Sequence, residues 1–168
     1  MKLLLVLLSV LFFAGYAQEG ISEDFEEILT EVLSEDRGKE PWVTDIEGIT
    51  VENTLFREAR WTGDHLQMTL MSIPVGGQIG GEVHHHNDQF IRIEQGTARV
   101  LMGESAENIT FDKEVTDDWA VFIPAGYWHN MLNVGDVDLK VYSIYGPPEH
   151  PYGTVHATFK ESEEAHHH

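Results

Sequence analysis

The sequence predicts one small all-β domain, a barrel or a sandwich, and three observations carry that prediction. First, from residue 49 onward the chain breaks into short β-branched and aromatic runs with a period of two, at 49–56, 66–73, 90–94, 97–102, 119–123, 137–145 and 154–159. Second, Gly76-Gly77, Gly80-Gly81, Gly96, Gly103, Gly126 and Gly135 punctuate those runs. Strands spaced about eight to twelve residues apart with turn residues between them mark antiparallel sheets rather than βαβ units. Third, the chain has no cysteine, so the fold is held by burial, aided by any metal it binds. No internal repeat and no low-complexity linker divides the chain.

Taken in order, the first 17 residues read as a secretory leader. Met1-Lys2 form the positive start, Leu3 to Ala14 the apolar run, and Gly15 and Ala17 place small residues at the −3 and −1 positions of a cleavage site. About 12 apolar residues fall short of the roughly 20 that span a bilayer. Cleavage after Ala17 would leave 151 of the 168 residues, starting at Gln18, a length that suits one domain. The protein is therefore expected outside the cytoplasm, either secreted or periplasmic. Residues 18–48 hold an amphipathic helix and a linker. Ile21, Phe25, Ile28, Leu29, Val32 and Leu33 fall at spacings of three and four behind a Ser22 cap. This helix is expected to lie across the outside of the barrel. The barrel itself is assigned to residues 49–160. Residues 161–168 read as an acidic and histidine-rich tail, with His166-His167-His168 in solvent.

Charge narrows the partners. The formal net charge of −19 becomes −20 once Lys2 leaves with the leader. A polyanion of this kind is repelled by nucleic acid and by anionic membrane surfaces. Neither is an expected partner. Homodimerisation is compatible with the sequence, and a small molecule is the expected ligand. Asn108-Ile109-Thr110 is an N-glycosylation triplet, relevant only in a eukaryotic source.

Ten histidines are the chemical feature of the chain. In a strand, Glu82, His84 and His86 share a face while His85 points away. A carboxylate and an imidazole aimed into one cavity begin a metal site. The other reading is a polar, solvent-exposed turn. Downstream, Pro124-Ala125-Gly126-Tyr127-Trp128-His129-Asn130-Met131-Leu132-Asn133 follows P-x-G-x-x-H-x-x-x-N. Pro and Gly at that spacing make a tight turn whose exit places His129 on the next strand. His150 and His156 are candidates for the pocket mouth or for supporting roles, and His65 for the surface. Ser72 and Ser143 lack the glycine-flanked elbow of serine hydrolases. Gly76-Gly77 and Gly80-Gly81 lack the lysine and the helix of a phosphate loop.

These residues resemble the cupin superfamily, whose two motifs are approximately G-x5-H-x-H-x3-4-E-x6-G and G-x5-P-x-G-x2-H-x3-N. Aligned on Gly96, Gln89 stands at the Glu position, His84 at the second His and Glu82 at the first, while His129 takes the His of the second motif. The chain departs by Glu82 for His, Gln89 for Glu, and Asp118 for the glycine opening the second motif. More closely, it is similar to a subfamily labelled mannose-6-phosphate-isomerase-like. That likeness rests on Asn53-Thr54-Leu55-Phe56-Arg57, Thr62-Gly63, Gln67, Glu82-Val83-His84, Asp88-Gln89-Phe90-Ile91-Arg92, Trp128-His129-Asn130 and the run Tyr145 to His156. It covers residues 49–160.

The resemblance implies an all-β, double-stranded β-helix (the jelly-roll or cupin barrel), to which the periodicity of residues 21–35 adds one short N-terminal amphipathic helix outside the resemblance. It implies a single divalent ion held by Glu82, His84, Gln89 and His129, with His86 in place of Gln89 as the alternative set. Two imidazoles, a carboxylate and an amide oxygen suit Fe²⁺ or Mn²⁺ first, then Zn²⁺ or Ni²⁺. Met68, Met71, Phe90, Arg92, Phe122, Trp128 and Tyr142 are the candidate pocket walls, with Arg92 the one candidate anion anchor. Three functions are consistent with this. A catalytic metal could polarise a small oxygenated, sugar- or acid-like substrate for isomerase or lyase chemistry, or support dioxygenation. A secreted module could hold a metal or small ligand without turnover. An acidic structural or matrix protein could gather cations on its surface.

Overall fold

A computed structural model describes residues 35–166. The leader and most of the amphipathic segment 21–35 lie outside the described residues. The element order is α1 (Ile46–Glu52), β1 (Arg57–Thr62), β2 (Gln67–Ile73), β3 (Glu82–Val83), β4 (Asp88–Gln95), β5 (Thr97–Ser105), β6 (Asn108–Thr116), β7 (Ala120–Ile123), β8 (Trp128–Asn133), β9 (Leu139–Gly146), β10 (Val155–His156) and α2 (Phe159–His166). The strands form two antiparallel sheets. One has six strands in the order β10-β1-β2-β9-β4-β7, and the other has four in the order β3-β8-β5-β6. This is the expected all-β jelly roll.

The core fills the space between the sheets. Met71, Ile73, Ile91, Ile93, Val100, Val121, Met131 and Val141 form one buried cluster. Strand alternation explains the membership, since Ile91 and Ile93 point inward while Arg92 points out. Strand β2 is buried along its whole length, because its inner face meets the core and its outer face is also covered. Gln67, Thr69 and Ser72 are buried there along with Met68, Leu70, Met71 and Ile73.

Residues 49–56, expected as a strand, contain none. Helix α1 occupies Ile46–Glu52 despite Ile49, Thr50 and Val51. Asp45 caps it by accepting from Gly48 N at 3.2 Å, and Lys140 donates its Nζ to Asn53 O at 2.6 Å at the other end. β-Branched residues lower helix propensity by only a few tenths of a kcal/mol each, so caps and burial decide. At the C-terminus, Phe159–His166 form helix α2, while His167 and His168 of the expected tail lie outside the described residues. Phe159 packs on the core cluster and edge-on to Phe56, at 5.5 Å between ring centroids. Among the described residues, no helix is long and apolar enough to cross a membrane.

Candidate metal centre

Three local structures bring the site together. Strand β3 pairs with β8 so that Glu82 lies opposite His129. The turn at residues 124–127 closes with Tyr127 N donating to Pro124 O at 3.1 Å. Gly126 takes φ 82° there, the value that a type II turn requires at its third residue and that glycine adopts without strain. Its own N–H donates to His84 O at 2.8 Å, which ties the turn leading to His129 to the residue that follows β3.

Inside the barrel, Glu82, His84 and His129 each present a ligand-capable atom within 4.8 Å of the other two. Glu82 Oε1 lies 3.3 Å from His84 Nε2 and 3.4 Å from His129 Nε2. Each imidazole is oriented from behind. His129 Nδ1 lies 3.2 Å from Tyr127 O, and since a carbonyl only accepts, the proton sits on Nδ1 and leaves a lone pair on Nε2. His84 Nδ1 lies 3.1 Å from Glu149 Oε1. Asn87 donates to Glu149 in turn. A carboxylate behind a histidine is the usual support of a metal-ligating imidazole.

Gln89 points inward from β4. Its amide nitrogen donates to Tyr145 Oη at 3.1 Å and to Ser143 Oγ at 3.3 Å, which fixes its oxygen as the free end. Tyr145 also meets His84 edge-on, with ring centroids 5.5 Å apart. Buried polar atoms without a hydrogen-bond partner include Glu82 Oε1, His84 Nε2, Gln89 Oε1 and His129 Nε2. These are the four atoms that the sequence motifs nominate. An unsatisfied buried polar atom costs about 1–3 kcal/mol, and such a cost is offset where a cation completes the shell. The two imidazole nitrogens, the carboxylate oxygen and the amide oxygen fit a borderline or hard divalent ion.

The charges are strongly coupled. Burial alone would raise the Glu82 carboxyl, but His129, His84 and the Arg57 guanidinium outweigh it and hold the group well below the usual carboxylate range. For His84, burial favours the neutral ring, yet Glu149 and Glu82 outweigh it and push the pKa up to about 9. Tyr145 goes up to about 12, chiefly because burial disfavours the phenolate, so it stays a neutral hydroxyl beside Gln89. The metal-free centre thus sets His84 and Arg57 against Glu82 and Glu149.

Other nominated residues fall elsewhere. His86 and His85 are both exposed, because β3 ends at Val83 and the chain bends away after His84. The alternative set with His86 is therefore not brought together. Most of the expected pocket wall is a correction. Met68, Phe90, Arg92 and Tyr142 lie on the outer face of the larger sheet, as the register of Phe90 with Ile144 and of Arg92 with Tyr142 requires once Gln89 faces in. Phe122, paired with Phe90, joins Phe90, Pro124 and Ile144 around a separate outer groove of about 420 Å³. Trp128 alternates with His129 and faces outward from β8. Met71 alone points inward, into the core. Arg92 pairs with Asp118 and Glu94 on the outside, so it anchors nothing at the centre. His150 is buried with its ring 5.3 Å from that of Tyr145, and Gln67 clamps its backbone by accepting from N at 2.9 Å and donating to O at 2.8 Å. His156 pairs with Arg57 across β10 and β1, and His65 is exposed.

Sequence reading missed Arg57, Asn87 and Glu149. Arg57 and Glu149 lie within the quoted runs Asn53–Arg57 and Tyr145–His156, but no local pattern assigns them to the centre.

Residues 69–145 match the family model for the cupin domain. A relative from Bacillus subtilis (strain 168), the uncharacterized protein YrkC, is 51% identical over 127 residues, 76% of this chain and 68% of that protein. The chain belongs to the cupin superfamily. A second relative, the uncharacterized protein L612 of Acanthamoeba polyphaga mimivirus, is 37% identical over 68% of this chain and 70% of its own. Among solved structures, BH2720 from Bacillus halodurans superposes with a TM-score of 0.77 at 54% identity, covering 77% of this cupin and 98% of that chain.

Proposed function

We propose that this cupin is a secreted protein that holds one divalent ion through Glu82, His84, Gln89 and His129 and uses it on a small oxygenated organic substrate. One observation carries the reading: four buried ligand-type atoms without hydrogen bonds, of which those of His84, His129 and Gln89 are held in place by a bonded partner behind the side chain. When bound, a divalent ion with a free coordination position supplies a Lewis acid toward an oxygen-bearing ligand. The chain's own residues do the rest. Glu149 keeps the His84 proton on Nδ1, Tyr127 O does the same for His129, and Ser143 with Tyr145 turns the Gln89 oxygen inward. Fe²⁺ and Mn²⁺ are the first choices for this nitrogen and oxygen set, with Zn²⁺ and Ni²⁺ next. The leader-like residues 1–17 support secretion. The closer similarity to the mannose-6-phosphate-isomerase-like group describes fold and does not assign sugar isomerisation.

Metal holding without turnover is the second reading. The depth of the site favours it, since His84, Gln89 and His129 are only 6%, 3% and 1% exposed.

Metal analysis tests the ligand set. Purified protein is expected to carry about one divalent ion per chain; His129→Ala and His84→Ala should each remove most of it, and His85→Ala should remove none. Equal loss in all three would mean that the triple-histidine segment binds as a loose cluster.

A further inference from the structure

Among the described residues, Arg57 is a charge that the fold leaves incompletely answered. Its side chain is 1% exposed, yet its bonding is incomplete. Nη1 donates to Ser162 Oγ at 2.7 Å, and Nη2 reaches Glu82 Oε2 only at 3.9 Å, beyond hydrogen-bond distance. Nε is buried with no partner. A guanidinium taken out of water costs several kcal/mol unless an anion and hydrogen bonds meet it. Here the nearest carboxylate is also the one that faces the metal centre.

That sharing matters once the centre is loaded. A divalent ion and Arg57 together bring three positive charges, against which stand the two carboxylates Glu82 and Glu149. Both imidazoles are neutral as ligands. The loaded, buried site is therefore short of one negative charge. Glu82 is its most open ligand, 18% exposed at the side chain, and Arg57 is the cation beside it. A planar guanidinium with an unused N–H matches a carboxylate better than any neutral group.

We infer that the loaded centre takes a small organic acid as its ligand, with the carboxylate recognised by Arg57 and with Ser162 of α2 positioning that arginine. This rests on the metal-centre reading and names its substrate class. It also moves anion recognition from Arg92, on the outer face, to Arg57 inside.

The experiment uses full-length protein loaded with one equivalent of Co²⁺, its metal content measured first on the same sample. Glycolate and its neutral isostere glycolamide are then titrated, read by calorimetry and by the visible Co²⁺ spectrum. Glycolate should bind at least about tenfold more tightly than glycolamide, the usual scale for a hydrogen bond to a charged group. Arg57→Gln should keep the Co²⁺ and lose that preference, and Arg57→Lys should recover part of it. Equal binding of the two probes by loaded wild-type protein overturns the inference and leaves the metal reading standing. Failure to take up Co²⁺ removes both. Should Arg57→Gln not fold, the two-probe comparison on unaltered protein still decides.

Discussion

Two clusters on this barrel bring three ligand-capable side chains within 4.8 Å of one another: Glu82, His84 and His129 inside, and Glu94, Asp117 and Asp118 outside. They differ in what already answers their charge. Outside, Glu94 is buried and its Oε1 also lacks a hydrogen bond, but the Arg92 guanidinium sits 3.4 Å from it and hydrogen-bonds Asp118, while both aspartates are open to water. Inside, His84 and His129 are buried, each imidazole is locked by a partner behind it, and the facing atoms have no hydrogen bond. Closeness of carboxylates is thus a poor sign of a site. A rigid support and unspent donor atoms where solvent cannot reach them are a good one.

The largest expected effect separating the clusters is on pH. The metal-free His84, with a pKa of about 9, must lose its proton before it can ligate. Apparent metal affinity should therefore rise about tenfold per pH unit as pH climbs from 7 toward 9, then level off. Calorimetry at pH 7 in buffers of different ionisation enthalpy should show close to one proton released per ion. A flat profile would put the ion on the outer carboxylates. The same shift stabilises the metal-free fold. Because the folded value exceeds the ordinary one of 6.5, that contribution is complete below about pH 6.5 and fades as pH rises through about 9.

Next in size is the Gln89 oxygen. Gln89→Leu should weaken metal binding by about ten- to a hundredfold, the range seen when a ligand's support is lost, and Gln89→Glu should tighten it by adding a charge. His86→Ala should be silent. A silent Gln89→Leu together with a damaging His86→Ala would exchange the two in the ligand set.

The smallest effect belongs to the outer cluster. Asp118→Asn keeps a residue type that tolerates the left-handed backbone there, φ 68°, and removes a surface ion pair. Stability should change by about 0–1 kcal/mol in thermal unfolding, with metal content untouched. Loss of metal in this variant would erase the distinction between the clusters.

Much of this was legible in the sequence because it is local. Period-two runs give the strands. The P-x-G-x-x-H spacing gives the His129 turn, since Gly126 must take a positive φ. Glu82 and His84 share a face by parity. The same parity defeats the pocket list, because Gln89 facing in requires Phe90 facing out and places Arg92 away from the centre. Helix α1 was hidden because β-branched residues at 49–51 look like strand and only the Asp45 cap and tertiary cover say otherwise. Arg57 and Glu149 were hidden for a different reason. Their partners lie far along the chain, and no local spacing encodes the approach of Arg57 to Glu82 or of residue 84 to the loop after β9.

The bond from Arg57 to Ser162 spans 105 positions, and β1 likewise waits for β10. During synthesis at about 5–20 residues per second, the arginine is made on the order of 5–20 s before the serine that receives it. For that interval the nascent barrel has its first strand without its outer neighbour and a guanidinium without its acceptor. The centre is therefore among the last parts of the molecule to be completed, only after nearly the whole chain has been translated.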